Sequence, residues 1–266
     1  MSQALVPARG KKFDIKEYDT SYKGDDAKDV AETEIASLRL RLDELQNLLY
    51  ADGRFGMLIV LQAIDAGGKD GTIKSVFQQV GPLACSVVSF GVPTEPELAH
   101  DYLWRYHRET PERGQMVIFN RSHYESVLVE RVRNIVPKDV WKARYDQINQ
   151  WESYLTGQGT VIMKFFLHIS KDEQRQRLQA RVDDPAKRWK FRLGDLEDRK
   201  LWDDYQAAFE AMVDNCNTAD APWHVVAADR NWYRDLTVAR ALVAKLESMD
   251  LRYPEAETGV EGLTVS

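Results

Sequence analysis

The 266-residue sequence has only two cysteines, Cys85 and Cys216, which cannot build a disulfide framework and form no metal-ligand spacing. A reducing cytoplasm is the economical expectation. Long hydrophobic runs are also missing. The best, Met57 to Leu61, falls far short of the roughly 20 residues a membrane span needs, so no membrane partner is expected. The first residues, MSQALVPARGKKFD, hold no apolar core of signal-peptide length, and no export is expected. Repeats and low-complexity tracts are absent. With 44% hydrophobic and 10% aromatic residues the chain can offset its ordering entropy, which excludes disorder as the main state. The length suits one large domain or two small ones.

There is no overall excess of positive charge: the net charge is −6, which argues against a nucleic-acid binder. The distribution is uneven, however. Between Lys164 and Arg192 nine basic residues face four acidic ones, so this stretch is +5 and the remainder −11. A positive field confined to one part of an acidic chain points to an anionic ligand at one site.

Residues 1–24 show no clear period and read as an extended arm. Residues 26–50 read as a helix, with Ile35, Leu38, Leu42, Leu45 and Leu49 three and four apart and Ala51-Asp52-Gly53 as its stop. The apolar run 56–61 suits a strand buried on both faces of a parallel sheet. Further strands are expected at Ala84–Phe90, Gln115–Phe119, Thr160–Ile169 and Trp223–Ala227. Helices are expected near 70–80 and at 95–107, 138–156, 171–182, 196–215 and 231–248. Ser170 and Glu173 form a capping box for one of them, and Asp183-Asp184-Pro185 stops it. Strands alternating with helices imply an α/β fold with a mainly parallel sheet. The stretch after Pro254 reads as a tail.

The first buried strand runs into Ala63-Ile64-Asp65-Ala66-Gly67-Gly68-Lys69-Asp70-Gly71-Thr72. Gly68-Lys69 fits the Walker A pattern, although Ala63 replaces its first glycine and Asp70 its Ser/Thr. Gly67 and Gly68 permit a tight bend with amides turned inward, the following helix adds its positive end, and Lys69 brings a full charge to a phosphate. Without the usual hydroxyl, Mg²⁺ needs other hard oxygen ligands. Asp65 is the preferred candidate, and Asp70 can equally serve the helix start.

A second buried strand turns polar at Phe119-Asn120-Arg121-Ser122-His123-Tyr124-Glu125, the strand end where ligands bind in open α/β sheets. Asn120 stands where a Walker B aspartate is usual, Arg121 can grip phosphate, and Glu125 can supply the missing carboxylate. His123 and Tyr124 read as local packing. Downstream, Arg177 and Arg181 share a helix face. Lys187, Arg188, Lys190 and Arg192 interleave with Trp189 and Phe191 in a segment suited to a lid over phosphates, and across 175–192 acidic partners are few.

Together AIDAGGKDGTI, FNRSHYE, DDPAKRWKFRLGDLEDRKLWDDY and APWHVVAADRNWYRDLTVAR closely resemble the polyphosphate kinase 2 family over roughly residues 30 to 250. Within it they look like the class III branch, which phosphorylates nucleoside mono- and diphosphates from inorganic polyphosphate. Class I members carry a Walker B aspartate and an Asn where Glu125 stands, so Asn120 with Glu125 has the class III look. The resemblance implies a P-loop kinase-like three-layer α/β/α fold: a five-stranded sheet in one domain over 26–250, a helical basic lid at about 177–195, an arm at 1–25 and a tail at 251–266. It implies functional roles for Lys69, Asp65, Asn120, Arg121, Glu125, Arg177, Arg181 and Asp195. Mg²⁺ falls to Asp65 and Glu125. Gly67, Gly68, Asp70, Gly71, Thr72, Lys187 and Arg188 are taken as binding positions for polyphosphate and an adenine or guanine nucleotide. The acceptor phosphate is already ionised at neutral pH, so no general base is required. An ATP-dependent nucleoside monophosphate kinase and a non-catalytic P-loop module are the competing readings. Helix 26–50 and the arm leave a homo-oligomer open, alongside packing on the chain's own core.

Overall fold

The computed structural model describes residues 5–260 and 262–265; the remaining positions of the expected arm and tail lie outside the described residues. In chain order the helices are α1 (Lys28–Asp52), α2 (Lys69–Val76), α3 (Glu95–Leu98), α4 (Trp104–His107), α5 (Val129–Val132), α6 (Lys138–Gly157), α7 (Lys171–Asp183), α8 (Gly194–Lys200), α9 (Trp202–Cys216) and α10 (Asn231–Glu247). The strands are β1 (Gly56–Gln62), β2 (Cys85–Ser89), β3 (Met116–Asn120), β4 (Thr160–His168) and β5 (Trp223–Ala227).

The five strands form one sheet in the order β2-β3-β1-β4-β5, and every pairing is parallel, not merely most of them. Every residue of β1 is buried, as its unbroken apolar run requires of a central strand covered on both faces. β4 has neighbours on both edges, so α6 and α10, which both pack on it, cover its two faces. α1 and α2 pack with α10, and α5 and α9 with α6, which completes three layers. The connection after β1 leaves toward β2 and that after β4 toward β5. A crevice therefore opens at the C-terminal ends of these strands.

Several local expectations are corrected. The helix expected at 95–107 is two short ones, because the Asp101 carboxylate accepts from the amides of Leu103 (3.0 Å) and Trp104 (3.1 Å) and so begins a second helix. The helix expected at 196–215 breaks at Leu201, whose amide turns back to the Asp198 carbonyl (3.0 Å). Only half of the capping box forms: the Ser170 hydroxyl accepts from the Glu173 amide, but Asp229 takes the Ser170 amide and the Glu173 carboxylate holds Arg177. The arm is not simply extended. It makes a 3₁₀ turn at Ile15–Glu17, buries Phe13 and Ile15, and its Leu5 carbonyl accepts from Val225 of β5. Ile35, Leu42, Leu45 and Leu49 of α1 are buried in the chain's own interior, so that stripe is not free for a partner.

Candidate active site

The loop between β1 and α2 is shaped by what lies behind it. A Cβ at Gly67 would overlap the Ala63 side chain, and one at Gly68 would overlap the Arg234 guanidinium; Gly68 also takes φ +105°, a conformation costly for any side chain. Ala66 (φ 63°) and Arg121 (φ 65°) hold left-handed conformations without being glycine, a strain typical of functional loops.

Lys69 opens α2 and is buried, its ammonium donating to the carbonyls of Ala63 (2.8 Å) and Ile64 (3.5 Å). Burial first, and the Arg121 charge second, pull its pKa down to about 8, against Asp65, Glu125 and Asp70. Arg121, just past the end of β3, pairs with Asp65 at 2.5 Å and with Glu125 at 3.5 Å. Burial pushes the Glu125 carboxyl up, and the Asp65 charge adds to this. Asp195 is buried at the start of α8 and is also raised, by burial and then by Asp65. Lys69, Asp65, Arg121 and Glu125 thus form one electrostatic cluster at the C-terminal ends of β1 and β3, with Asp195 at its edge.

Asp70 accepts from Asn120 (2.9 Å) and from Lys190 (3.2 Å). Burial opposes ionisation there, but these two hydrogen bonds and the lysine charges lower its pKa on balance. Its carboxylate is therefore engaged in tying α2 to β3 and to the basic segment. Gly71 lies against Arg234, and the buried Thr72 hydroxyl donates back to the Gly68 carbonyl (3.2 Å).

In the basic segment Arg177 donates to the Ala66 carbonyl (3.2 Å), the Ala228 carbonyl (2.6 Å) and Glu173 (2.7 Å), bracing the loop to the turn after β5. Arg181 faces Asp195 at 3.9 Å. Lys187 pairs with Asp184 (2.8 Å) and Arg188 donates to the Val182 carbonyl (2.8 Å), both at the surface. Two features of the charge map are corrected. Lys164 is completely buried and paired with Glu152, so it adds nothing to the positive field. Arg175, Arg177 and Lys187 each have an acidic partner three or four residues away, more than the sequence suggested.

Within the basic segment it is Lys190, not the binding positions Lys187 and Arg188, that meets α2, through Asp70. Two further residues of the cluster escaped the sequence reading. Buried Gln174 holds the Asp65 carbonyl (3.1 Å). Arg234, 3% exposed, backs Gly68 and Gly71 and pairs with Asp235 (2.7 Å). Its readable signal was a charge on the buried stripe of α10 that continues through Val238 and Leu242. Among the described residues no three histidine, cysteine, aspartate or glutamate side chains are grouped to hold a metal, and no helix is long and apolar enough to cross a membrane.

The polyphosphate kinase 2 family profile matches residues 25–254. The AMP/ADP-polyphosphate phosphotransferase of Meiothermus ruber is 54% identical over 258 residues, 96% of either chain. The ADP-polyphosphate phosphotransferase of Rhodopseudomonas palustris is 45% identical over 227 residues, 81% of this chain and 78% of its own. The crystal structure of polyphosphate kinase 2 from Arthrobacter aurescens TC1 superposes with a TM-score of 0.93 at 38% identity, covering 97% of this chain and 92% of that one. With the P-loop, the Asn120–Glu125 segment and the basic helices all inside the matched residues, this chain belongs to the polyphosphate kinase 2 family.

Proposed function

We propose that this protein transfers the terminal phosphoryl group of inorganic polyphosphate to nucleoside mono- and diphosphates, making ADP from AMP and ATP from ADP, with adenine or guanine acceptors. One observation carries the reading: Lys69 and Arg121 converge with Asp65 and Glu125 beside a glycine loop at a helix N-terminus. That set suits a reaction driven by positioning and by neutralising charge on the transferred group. Relatives named for AMP/ADP and for ADP as partners of polyphosphate support it.

In this reading Lys69 leaves its loop carbonyls to meet a donor phosphate, and the incoming anion holds its proton in place. Arg121, kept charged between Asp65 and Glu125, spans donor and acceptor. Arg181 and Lys190 bring the lid, about 177–195 of a single domain over 26–250, down on the phosphates and exclude water. Asp65 and Glu125 fit Mg²⁺. They are hard oxygen donors gathered on one arginine, burial and then the Asp65 charge disfavour ionisation of Glu125 in a way a bound cation would offset, and two carboxylates suffice for an ion that keeps phosphate and water ligands. When bound, the ion neutralises charge on the phosphate oxygens. The two free cysteines, Cys85 and Cys216, agree with a cytoplasmic setting.

The test is an assay with polyphosphate and either AMP or ADP and no ATP. ADP and then ATP should form; silence until ATP is added would mean an ATP-dependent monophosphate kinase instead. The lid gives a second expectation. Exposed charges bind a polyanion in a salt-dependent way. Apparent affinity for polyphosphate should fall as salt rises, and Lys187→Gln with Arg188→Gln should weaken polyphosphate more than nucleotide. Equal losses for both, or indifference to salt, would remove the lid from the polyphosphate path.

A further inference from the structure

Behind the cluster lies a second set of charges that the mechanism above does not use. Lys164, in the middle of β4, and Glu152, on α6, are 0% and 1% exposed and pair at 2.6 Å. The three ammonium protons of Lys164 go to Glu152, to the Tyr124 hydroxyl (2.7 Å) and to the Cys216 carbonyl (2.8 Å). The Tyr124 hydroxyl in turn donates to Glu152 (2.8 Å), and His123 Nε2 lies 3.1 Å from the same carboxylate oxygen. Burial lowers the His123 pKa against the pull of Glu152 and so favours the neutral ring, whose Nε2 is the nitrogen that faces the carboxylate. His123 and Tyr124 are themselves 0% exposed and are wedged against Trp151 and Trp223.

These two rings belong to the 3₁₀ turn His123–Ser126, which also carries Glu125. Such a turn has three residues per revolution, so successive side chains point about 120° apart. Fixing His123 and Tyr124 on one buried carboxylate leaves Glu125 a single direction, toward Arg121. The flanks are tied as well: Gln62 donates to the Ser122 hydroxyl (3.0 Å), and Arg144 donates to the Ser126 carbonyl (2.9 Å). Stability alone does not account for the pair. Buried ion pairs exchanged for apolar groups of similar volume are often neutral or stabilising, and the neighbours of Lys164 along β4 are Met163 and Phe165. What the pair supplies is orientation.

We propose that Glu152 and Lys164 are positioning residues for phosphoryl transfer, acting through Tyr124 and His123 to hold Glu125 and Arg121 in line with the reacting phosphates. The proposal rests on the reading of Glu125 given above. Its test is the paired variant Glu152→Gln with Lys164→Met in the full chain, which removes both charges together and leaves neither unpaired. It should melt cooperatively near the parent temperature and keep its KM for polyphosphate. Its kcat should fall about 10- to 100-fold, the scale of a misplacement near 1 Å. Combined with Glu125→Asn the losses should not add, because both changes disable the same element. If the paired variant does not fold, Tyr124→Phe removes only the bridging hydroxyl and enters the same cycle with the same expectation. A parent-like kcat, or losses that add to those of Glu125→Asn, overturns the positioning role. With AMP as the acceptor throughout, a normal rate for Glu125→Asn alone overturns the reading of the site, and the proposal falls with it.

Discussion

Lys69→Met is expected to cut phosphoryl transfer by about 10²–10⁴-fold while leaving the unliganded protein as stable as before or more so. The rate term follows from one charged contact realised in the transition state, worth roughly 3–5 kcal/mol. The stability term follows from burial. Lys69 titrates near 8 in the folded chain, against about 10.4 for an unfolded lysine. Between those values the unfolded state binds more protons, so stability rises with pH across that window, and the full penalty is present below pH 8. Two units or so correspond to about 3 kcal/mol, partly offset in the variant by the lost hydrogen bond to Ala63. Thermal melts of the unliganded protein at pH 7 read this directly, and steady-state assays read the rate. Near-normal turnover in a folded variant would sink the P-loop assignment. A drop of several degrees in melting temperature would make Lys69 a structural brace of its loop. In the parent enzyme, kcat/KM for polyphosphate should decline as pH rises through about 8, because the free enzyme then loses the Lys69 proton.

Glu125→Asn should cost about 10²-fold with AMP as acceptor and far less with ADP, leaving an enzyme that works mainly on diphosphates. A diphosphate brings an extra phosphate that can share a cation with the reacting group. A monophosphate brings none, so the protein must provide the carboxylate on the acceptor side. Glu125 is placed for that, 3.5 Å from Arg121 and in the same field as Asp65. The fold should tolerate the change. The substitution removes a carboxylate whose ionisation burial already disfavours, and Arg121 keeps its shorter pairing with Asp65. Initial rates on the two acceptors, measured side by side at saturating polyphosphate, decide the matter. An equal drop on both would indicate general damage to the turn at His123–Ser126, and no drop on either would leave Glu125 without a role.

Much of this site was legible because its signals are local. A six-residue apolar run, a glycine pair and a lysine lie close together in the chain, and the physics that joins strand, turn and helix N-terminus acts over those few residues. The same holds for β3 and its abrupt polar end at Asn120. The α3–α4 break was not legible as such, because the Asp101 side chain competes with the helix for backbone amides, and composition alone does not decide that contest.

The sequence by itself determined the alternation of strands and helices, the placing of Lys69, Asp65, Arg121 and Glu125 at two strand ends, and the family. Only the tertiary structure decided what each charge faces. Lys164 counted as one more cation of a basic stretch until the sheet buried it against Glu152. Lys190 finds Asp70 across 120 residues, Arg177 finds the Ala66 carbonyl across 111, and Arg234 fills the space behind Gly68. A charge buried without a partner is too costly to persist. Which partner it takes depends on the elements that the parallel sheet brings side by side, and no periodicity in the chain records that choice.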